Sequence, residues 1–129
     1  MRDGSARAAA ARACVGARFR LHGRDPAFGL DCVGVAGIAF ARDVPATYAL
    51  RGGDPDAMRA AIARAGLRAI AGTDVKAGDL LLLDMGAGQL HLAVLTADGF
   101  VHADARLRRV VETPGRPTGR MLGSWTEEG

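Results

Sequence analysis

Apolar and polar residues follow helical spacing in the first half of the chain. Alanine-rich or apolar segments there are bounded by residues that start and stop helices, which predicts three helices, over residues 5–16, 31–41 and 54–65. Ser5, Asp31 and Asp54 are the expected N-caps, and Pro55 fits the first turn of the third helix. The second segment is apolar on more than one side, so it is expected to be largely buried.

The pattern changes in the second half, where short apolar runs are separated by turn residues. Five strands are predicted, over residues 80–83, 90–96, 100–103, 110–111 and 121–125. Helices followed by strands, without strand–helix alternation, indicate an α+β domain whose helices pack on one face of an antiparallel meander.

Composition and charge narrow the class of protein. The chain has 129 residues, which suits one domain over residues 1–129, and it is 49% hydrophobic but only 5% aromatic. The net charge of +3 comes almost entirely from arginines that are scattered and not interleaved with aromatics, so nucleic-acid binding is not expected. The sequence has no apolar run long enough to span a membrane and no signal-peptide pattern, which predicts a protein that is cytoplasmic as synthesised.

The two cysteines, Cys14 and Cys32, are expected to be free thiols with different roles. Cys14 has no histidine or acid near it in the sequence, which favours simple packing. Cys32 directly follows the expected N-cap Asp31, where the helix dipole favours the thiolate that attacks carbonyls or binds metals. Taken alone, Cys32 is more typical of a small buried core residue than of a nucleophile.

The histidines decide between these interpretations. Besides His22 there are two, His91 and His102, and both interrupt apolar strands of one predicted hairpin. If residues 96–99 form a four-residue loop, His102 lies opposite Ala93, and His91 sits on the same face one diagonal step away. Shorter loops separate the two rings or need a bulge to bring them together.

Together, Cys32, His91 and His102 have the groups that a cysteine peptidase needs. Cys32 would be the nucleophile, His91 the base that takes its proton, and His102 the polar group that orients His91. The backbone N–H of Cys32 would supply one oxyanion donor.

Four motifs occur in an order that resembles the NlpC-type bacterial cell-wall cysteine peptidases. They are Gly-Leu-Asp-Cys-Val-Gly at 29–34, Gly-Asp-Leu-Leu-Leu-Leu at 78–83, His-Leu-Ala-Val-Leu at 91–95 and Phe-Val-His-Ala at 100–103. The resemblance covers roughly residues 5–125. It implies a papain-like α+β fold, and cofactor-free hydrolysis of peptidoglycan stem peptides of the D-γ-glutamyl–diaminopimelate type. It also places Cys32, His91 and His102 at the nucleophile, base and third polar residue of the family.

The sequence departs from that family at several positions near the nucleophile. Val33 stands where the family has serine, and Phe19 stands where it has a tyrosine whose hydroxyl approaches the site. His22 is a candidate to supply the missing hydrogen-bond donor. Phe19, His22 and Asp31 are therefore candidate substrate-binding or oxyanion residues.

Other functions stay open from the sequence. Cys32, His91, His102 and His22 are residue types that bind zinc, although no short-spaced ligand pair is present. A catalytically silent or structural module of the same fold is a further alternative, and so are amidase or acyl-transfer chemistry. Short forms of this family resemble hydrolases of phage tails, which suggests delivery to the cell wall within a phage-tail-like particle, with phage-tail-like proteins as partners.

Overall fold

Three helices precede most of the strands, as the sequence pattern predicts. The computed structural model describes residues 3–44, 53–71 and 74–127. Within these ranges the helices are α1 (Gly4–Arg12), α2 (Cys32–Phe40) and α3 (Pro55–Arg64). None of them is long and apolar enough to cross a membrane.

The helix boundaries follow the capping residues. Asp31 caps α2 by accepting a bond from the backbone N–H of Gly34, and Asp54 caps α3 in the same way through Asp56. The prediction for α1 is wrong at both ends. Asp3, not Ser5, is the N-cap and accepts from Ala6 N–H, and the helix ends at Arg12 before a turn over 13–16. The Asp3 carboxylate, two residues before Ser5, accepts this bond, and the helix therefore begins earlier than predicted.

The strands form two antiparallel sheets. A small hairpin pairs β1 (Arg24–Asp25) with β2 (Gly29–Leu30), immediately before α2. The main sheet has six strands in the described residues, with the order β3-β8-β4-β5-β6-β7. Its members are β3 (Arg68–Ala69), β4 (Leu80–Asp84), β5 (Leu90–Leu95), β6 (Gly99–Asp104), β7 (Arg109–Pro114) and β8 (Arg120–Thr126).

Only β4 to β7 form the expected meander. The last strand, β8, returns across the sheet to pair with β4, and β3 lies outside β8. The prediction of a continuous meander is therefore wrong at β8. This arrangement makes β4 and β5 central strands. Their sequences are apolar at successive residues, not only at alternate ones, because side chains on both faces of these strands are buried.

Both faces of the central strands are buried. On one face, Leu80, Leu82, Leu92 and Val94 join the core beneath α2. On the other, a second cluster is made of side chains one position away in each strand, namely Leu81, Leu83, Ala93, Leu95 and Phe100. The helices therefore pack on one face, as predicted, while the histidine-bearing positions belong to the other.

The segment before α2 is pressed against the helix. A Cβ on Gly34 would lie 2.3 Å from the carbonyl oxygen of Gly23, so only glycine allows this approach. The start of α2, and Cys32 with it, is thereby held under the loop that contains His22.

A buried arginine ties α1 to the sheet. Arg7 is 3% exposed, and its Nε donates to the carbonyl oxygen of Gly78 at 2.9 Å. Its Nη2 lies 3.5 Å from Asp79 and donates to the hydroxyl of Thr126 at 3.1 Å. The carboxylate of Glu127, which also pairs with Arg42, completes the group at 3.9 Å from Arg7.

Candidate active site

Strands β5 and β6 separate at the two histidines. They pair only at Val94 with Val101 and at Leu95 with Phe100, which is the register given by a four-residue loop over 96–99. Of the registers that the sequence left open, this is the one that places His91 and His102 on the same face. Beyond these pairs β5 keeps β4 as its partner and β6 keeps β7, so a gap opens between them on the side of His91 and His102.

A chain of hydrogen bonds crosses this gap. The Nε2 of His91 lies 2.7 Å from the Nδ1 of His102, and the Nε2 of His102 lies 2.9 Å from the hydroxyl of Thr113 on β7. Within the described residues the Nδ1 of His91 has no hydrogen-bond partner. If His91 donates from Nε2 and His102 donates to Thr113, that Nδ1 carries a lone pair and can accept a proton.

Cys32 reaches the same gap from the start of α2. Thr96 N–H bonds to Gly99 on β6, so Leu92, four residues earlier on β5, also directs its peptide group toward the β6 side. With β6 turned away, the Leu92 N–H interacts with the Cys32 sulfur. Since Leu92 directly follows His91, α2, which carries the nucleophile, and β5, which carries the base, meet at Leu92.

The thiol of Cys32 is in its protonated form at rest. Burial and the Asp31 carboxylate raise the pKa of Cys32 to about 12. The N–H groups of Leu92, Cys32 and Val33 act in the opposite direction but do not outweigh burial. The expectation that the helix start yields a thiolate is therefore wrong, because only 2% of the residue is exposed and desolvation exceeds the helix-dipole effect.

Both imidazoles are neutral at physiological pH. Burial, together with the neighbouring His102, lowers the pKa of His91 to about 4, while the Asp104 carboxylate raises it. The pKa of His102 is also lowered by burial and raised by Asp104. The resting site thus contains a neutral thiol and neutral imidazoles. The thiol proton must move when the sulfur attacks, as in general-base catalysis.

Asp31 acts on the backbone and is not exposed to the cleft. It is 0% exposed, and its carboxylate accepts from the N–H groups of Gly34 at 2.9 Å and His22 at 2.8 Å. Arg24 adds an ion pair at 3.1 Å. This full set of partners makes Asp31 the residue that fixes the start of α2 and the preceding loop, and excludes it as a substrate-contacting residue in this conformation.

Phe19 and His22 lie on the segment that leads to Cys32. Phe19 is half-buried, packs against the core cluster that contains Cys32, and pairs with Leu30 through a parallel bridge. His22 is half-buried with a φ of 61°, and its N–H bonds to Asp31. The left-handed backbone places His22 at a tight turn beside the cleft, and its role as hydrogen-bond donor stays a prediction.

Thr113 and Asp104 were not found from the sequence. Threonine in a strand is ordinary, and only the β6–β7 register shows that Thr113, opposite Phe100, can reach diagonally to His102. Asp104 lies two residues after His102 and thus on its face. That spacing was a usable signal for an acid near the histidines.

The zinc alternative and the role assigned to Cys14 can both be compared with the structure. Among the described residues there is no group of three or more histidine, cysteine or acidic side chains that could hold a metal ion, so the zinc alternative finds no ligand set there. Cys14 is a buried free thiol that donates to the carbonyl oxygen of Ala10. It packs in the core, as predicted.

Two solved structures resemble the chain over nearly its full length. The NlpC/p60 domain of the peptidoglycan hydrolase SagA is 21% identical, with a TM-score of 0.65, 98% of this chain covered and 100% of that one. The P60 domain of an antigen from M. avium subspecies paratuberculosis is 21% identical, with a TM-score of 0.58 and coverage of 95% and 92%. The chain therefore has the α+β fold of NlpC/p60 domains, as the sequence motifs predict. No family model and no curated protein matches the sequence.

Proposed function

We propose that this protein is a cysteine peptidase that hydrolyses peptide bonds in peptidoglycan stem peptides. One observation carries the proposal: the Cys32 sulfur interacts with the N–H of Leu92, the residue that follows His91, and the Nε2 of His91 is 2.7 Å from the Nδ1 of His102. A thiol, a base and a group that orients the base are the minimum for nucleophilic acyl transfer.

The residues have distinct roles in the proposed reaction. The Nδ1 of His91 takes the Cys32 proton as the sulfur bonds to the substrate carbonyl carbon. The imidazolium then returns this proton to the departing amine, which leaves a thioester on Cys32. Water, deprotonated by His91, attacks the thioester and releases the new carboxylate and the free thiol. His102 accepts from the Nε2 of His91 throughout, which fixes the ring and stabilises its charged form.

The fold supports the choice of substrate. The structures that resemble this chain include a domain of a peptidoglycan hydrolase. The four sequence motifs also resemble those of a family that cleaves stem peptides. The D-γ-glutamyl–diaminopimelate bond is the proposed site of cleavage, without a cofactor. Delivery to the wall within a phage-tail-like particle stays a prediction from the sequence, since no observation on the structure bears on it.

Cleavage of defined peptides tests the proposal. Wild-type protein, Cys32→Ala and the matched control Cys14→Ala are incubated with γ-D-glutamyl-diaminopimelate peptides and with intact peptidoglycan, and the products are identified by mass. We expect cleavage by wild type and Cys14→Ala and none by Cys32→Ala. Equal cleavage by Cys32→Ala, or no cleavage by wild type, contradicts the proposal. The second of these results would favour the silent structural module.

A further inference from the structure

Two arginines of the segment before β1 meet an arginine of β7 beside the candidate site. Residues 16–19 run along β7: Gly16 N–H donates to Val110, Val110 N–H to Ala17 and Phe19 N–H to Arg108, at 2.8 to 3.0 Å. This pairing sets Arg18 directly opposite Arg109. Arg20 follows two residues later, so in an extended segment it returns to the face of Arg18. Arg18, Arg20 and Arg109 are called the arginine surface below.

The arginine surface shares a face of the sheet with the two histidines. Arg109 is the partner of Asp104 in the β6–β7 register, and Asp104 is two residues from His102. On the other side, Leu30 bonds to both Arg18 and Arg20 through its backbone and lies two residues before Cys32. The arginine surface therefore extends from β7, the strand next to that of His102, to the loop that leads to Cys32.

No ion pair within the described chain engages the side chains of this surface, although Asp104 lies opposite Arg109 in the β6–β7 register. All three side chains are exposed, and none forms an ion pair or hydrogen bond with the described residues. The nearby Asp104 turns one carboxylate oxygen to the N–H groups of Arg106 and Leu107. Like charges placed opposite each other on paired strands are destabilising, so an anion between Arg18 and Arg109 would relieve a repulsion that the fold imposes.

We propose that the arginine surface binds a carboxylate of the peptide substrate and makes the enzyme selective for acidic peptides. The inference rests on the proposed function and adds a specificity site to it. Guanidinium groups match carboxylates in bidentate geometry. A γ-linked glutamyl residue keeps a free α-carboxylate beside the scissile bond, within the reach of side chains that border the cleft. An extended peptide is favoured over a large polyanion because the surface adjoins the nucleophile.

Matched peptides test this selectivity. The probes are a γ-D-glutamyl-diaminopimelate peptide and the same peptide with the glutamyl carboxylate replaced by carboxamide. We expect wild type to cleave the acid form with a kcat/KM about tenfold or more above the amide form, mainly through KM. The variant Arg18→Gln/Arg109→Gln is expected to lose this preference and to cleave the amide form as wild type does. Arg116→Gln, an exposed charge change on the β7–β8 connection, is the control and is expected to keep the preference.

Binding to Cys32→Ala separates this inference from the proposed function. Cys32→Ala is expected to bind the acid peptide more tightly than the amide peptide, and the triple variant Cys32→Ala/Arg18→Gln/Arg109→Gln is expected to lose this difference. That result supports the arginine surface even if wild type cleaves neither peptide. Cleavage without a preference for the acid form overturns the inference and leaves the peptidase proposal standing. Salt-sensitive binding to intact walls that needs both arginines, with no effect on the small peptides, assigns the surface to a wall polyanion and overturns the inference as well.

Discussion

The Nε2 of His91 and the Nδ1 of His102 lie 2.7 Å apart across the gap where β5 and β6 cease to pair. The rings meet edge to face at 86°, with their centroids 4.9 Å apart. One ring is therefore fixed by the other, while the Nδ1 of His91 has no partner among residues 3–44, 53–71 and 74–127. Because both rings are largely removed from water, their hydrogen bond is stronger than an exposed one would be.

Thr113 is predicted to fix the tautomer of His102. Thr113→Val keeps the side-chain shape but removes the hydroxyl that contacts Nε2 of His102. We expect kcat to fall by up to about tenfold, the worth of one such hydrogen bond, with KM nearly unchanged. Nitrogen NMR of the imidazoles should show a mixed His102 tautomer in Thr113→Val and a single one in Thr113→Ser, which should also recover kcat. An unaltered tautomer in Thr113→Val would assign the threonine a packing role only.

The pH profile of kcat/KM is predicted to have an acid limb near pH 4. Activity needs His91 neutral, and burial lowers the pKa of His91 to about 4, so activity should be lost only as pH falls below that value. Asp104 raises this pKa, and therefore Asp104→Asn should move the limb to lower pH. Asparagine keeps an oxygen for the N–H groups of Arg106 and Leu107. A limb that stays in place or moves upward would contradict the assigned effect of Asp104.

Alkylation of Cys32 by iodoacetamide is predicted to be slow at neutral pH and to accelerate toward alkaline pH. The reason is that burial and Asp31 raise the pKa of Cys32 to about 12. Mass spectrometry of the labelled peptide measures the rate against pH. A rate that is already at its plateau between pH 5 and 8 would reveal a thiolate–imidazolium pair and refute the neutral resting state.

Asp31→Asn is predicted to have two separate effects, one on the reactivity of Cys32 and one on the stability of the fold. Removing the charge lowers the pKa of Cys32, so alkylation at a fixed pH should be faster. The loss of the ion pair with Arg24 should lower the free energy of unfolding by about 1 to 3 kcal/mol, since Asp31 is fully buried. Urea unfolding measures the second effect. Faster alkylation without a change in stability would mean that the carboxylate does not hold the loop.

Arg7→Met is predicted to destabilise the fold without a direct effect on catalysis. The substitution leaves the carboxylate of Asp79 buried without its cation, and leaves Glu127 with Arg42 as its remaining cation, which should cost about 3 to 5 kcal/mol. The matched control is Arg12→Met, which breaks the exposed pair with Glu112 and should cost less than about 1 kcal/mol. Denaturant unfolding compares the two. Equal stability losses would show that Arg7 is not the centre of the buried group.

The sequence by itself determined the local elements of this protein. Asp31 and Asp54 start helices because a short side-chain acceptor satisfies free N–H groups, and this requires no distant contact. The even period of a strand likewise fixed how the faces of His91 and His102 depend on the hairpin loop, and the structure selected the four-residue loop over 96–99. These local rules were sufficient to select Cys32 and the two histidines as candidates.

Only the tertiary structure decided how those residues behave. The pKa of Cys32 depends on its burial between elements that are distant in sequence. Burial outweighs the effect of the helix dipole that the sequence suggested. Thr113 became part of the site through the β6–β7 register, and Arg18 met Arg109 because residues 16–19 run along β7. The return of β8 to β4 also depended on long-range pairing. Desolvation and strand pairing depend on residues that are far apart in the sequence, so a local sequence pattern does not predict them.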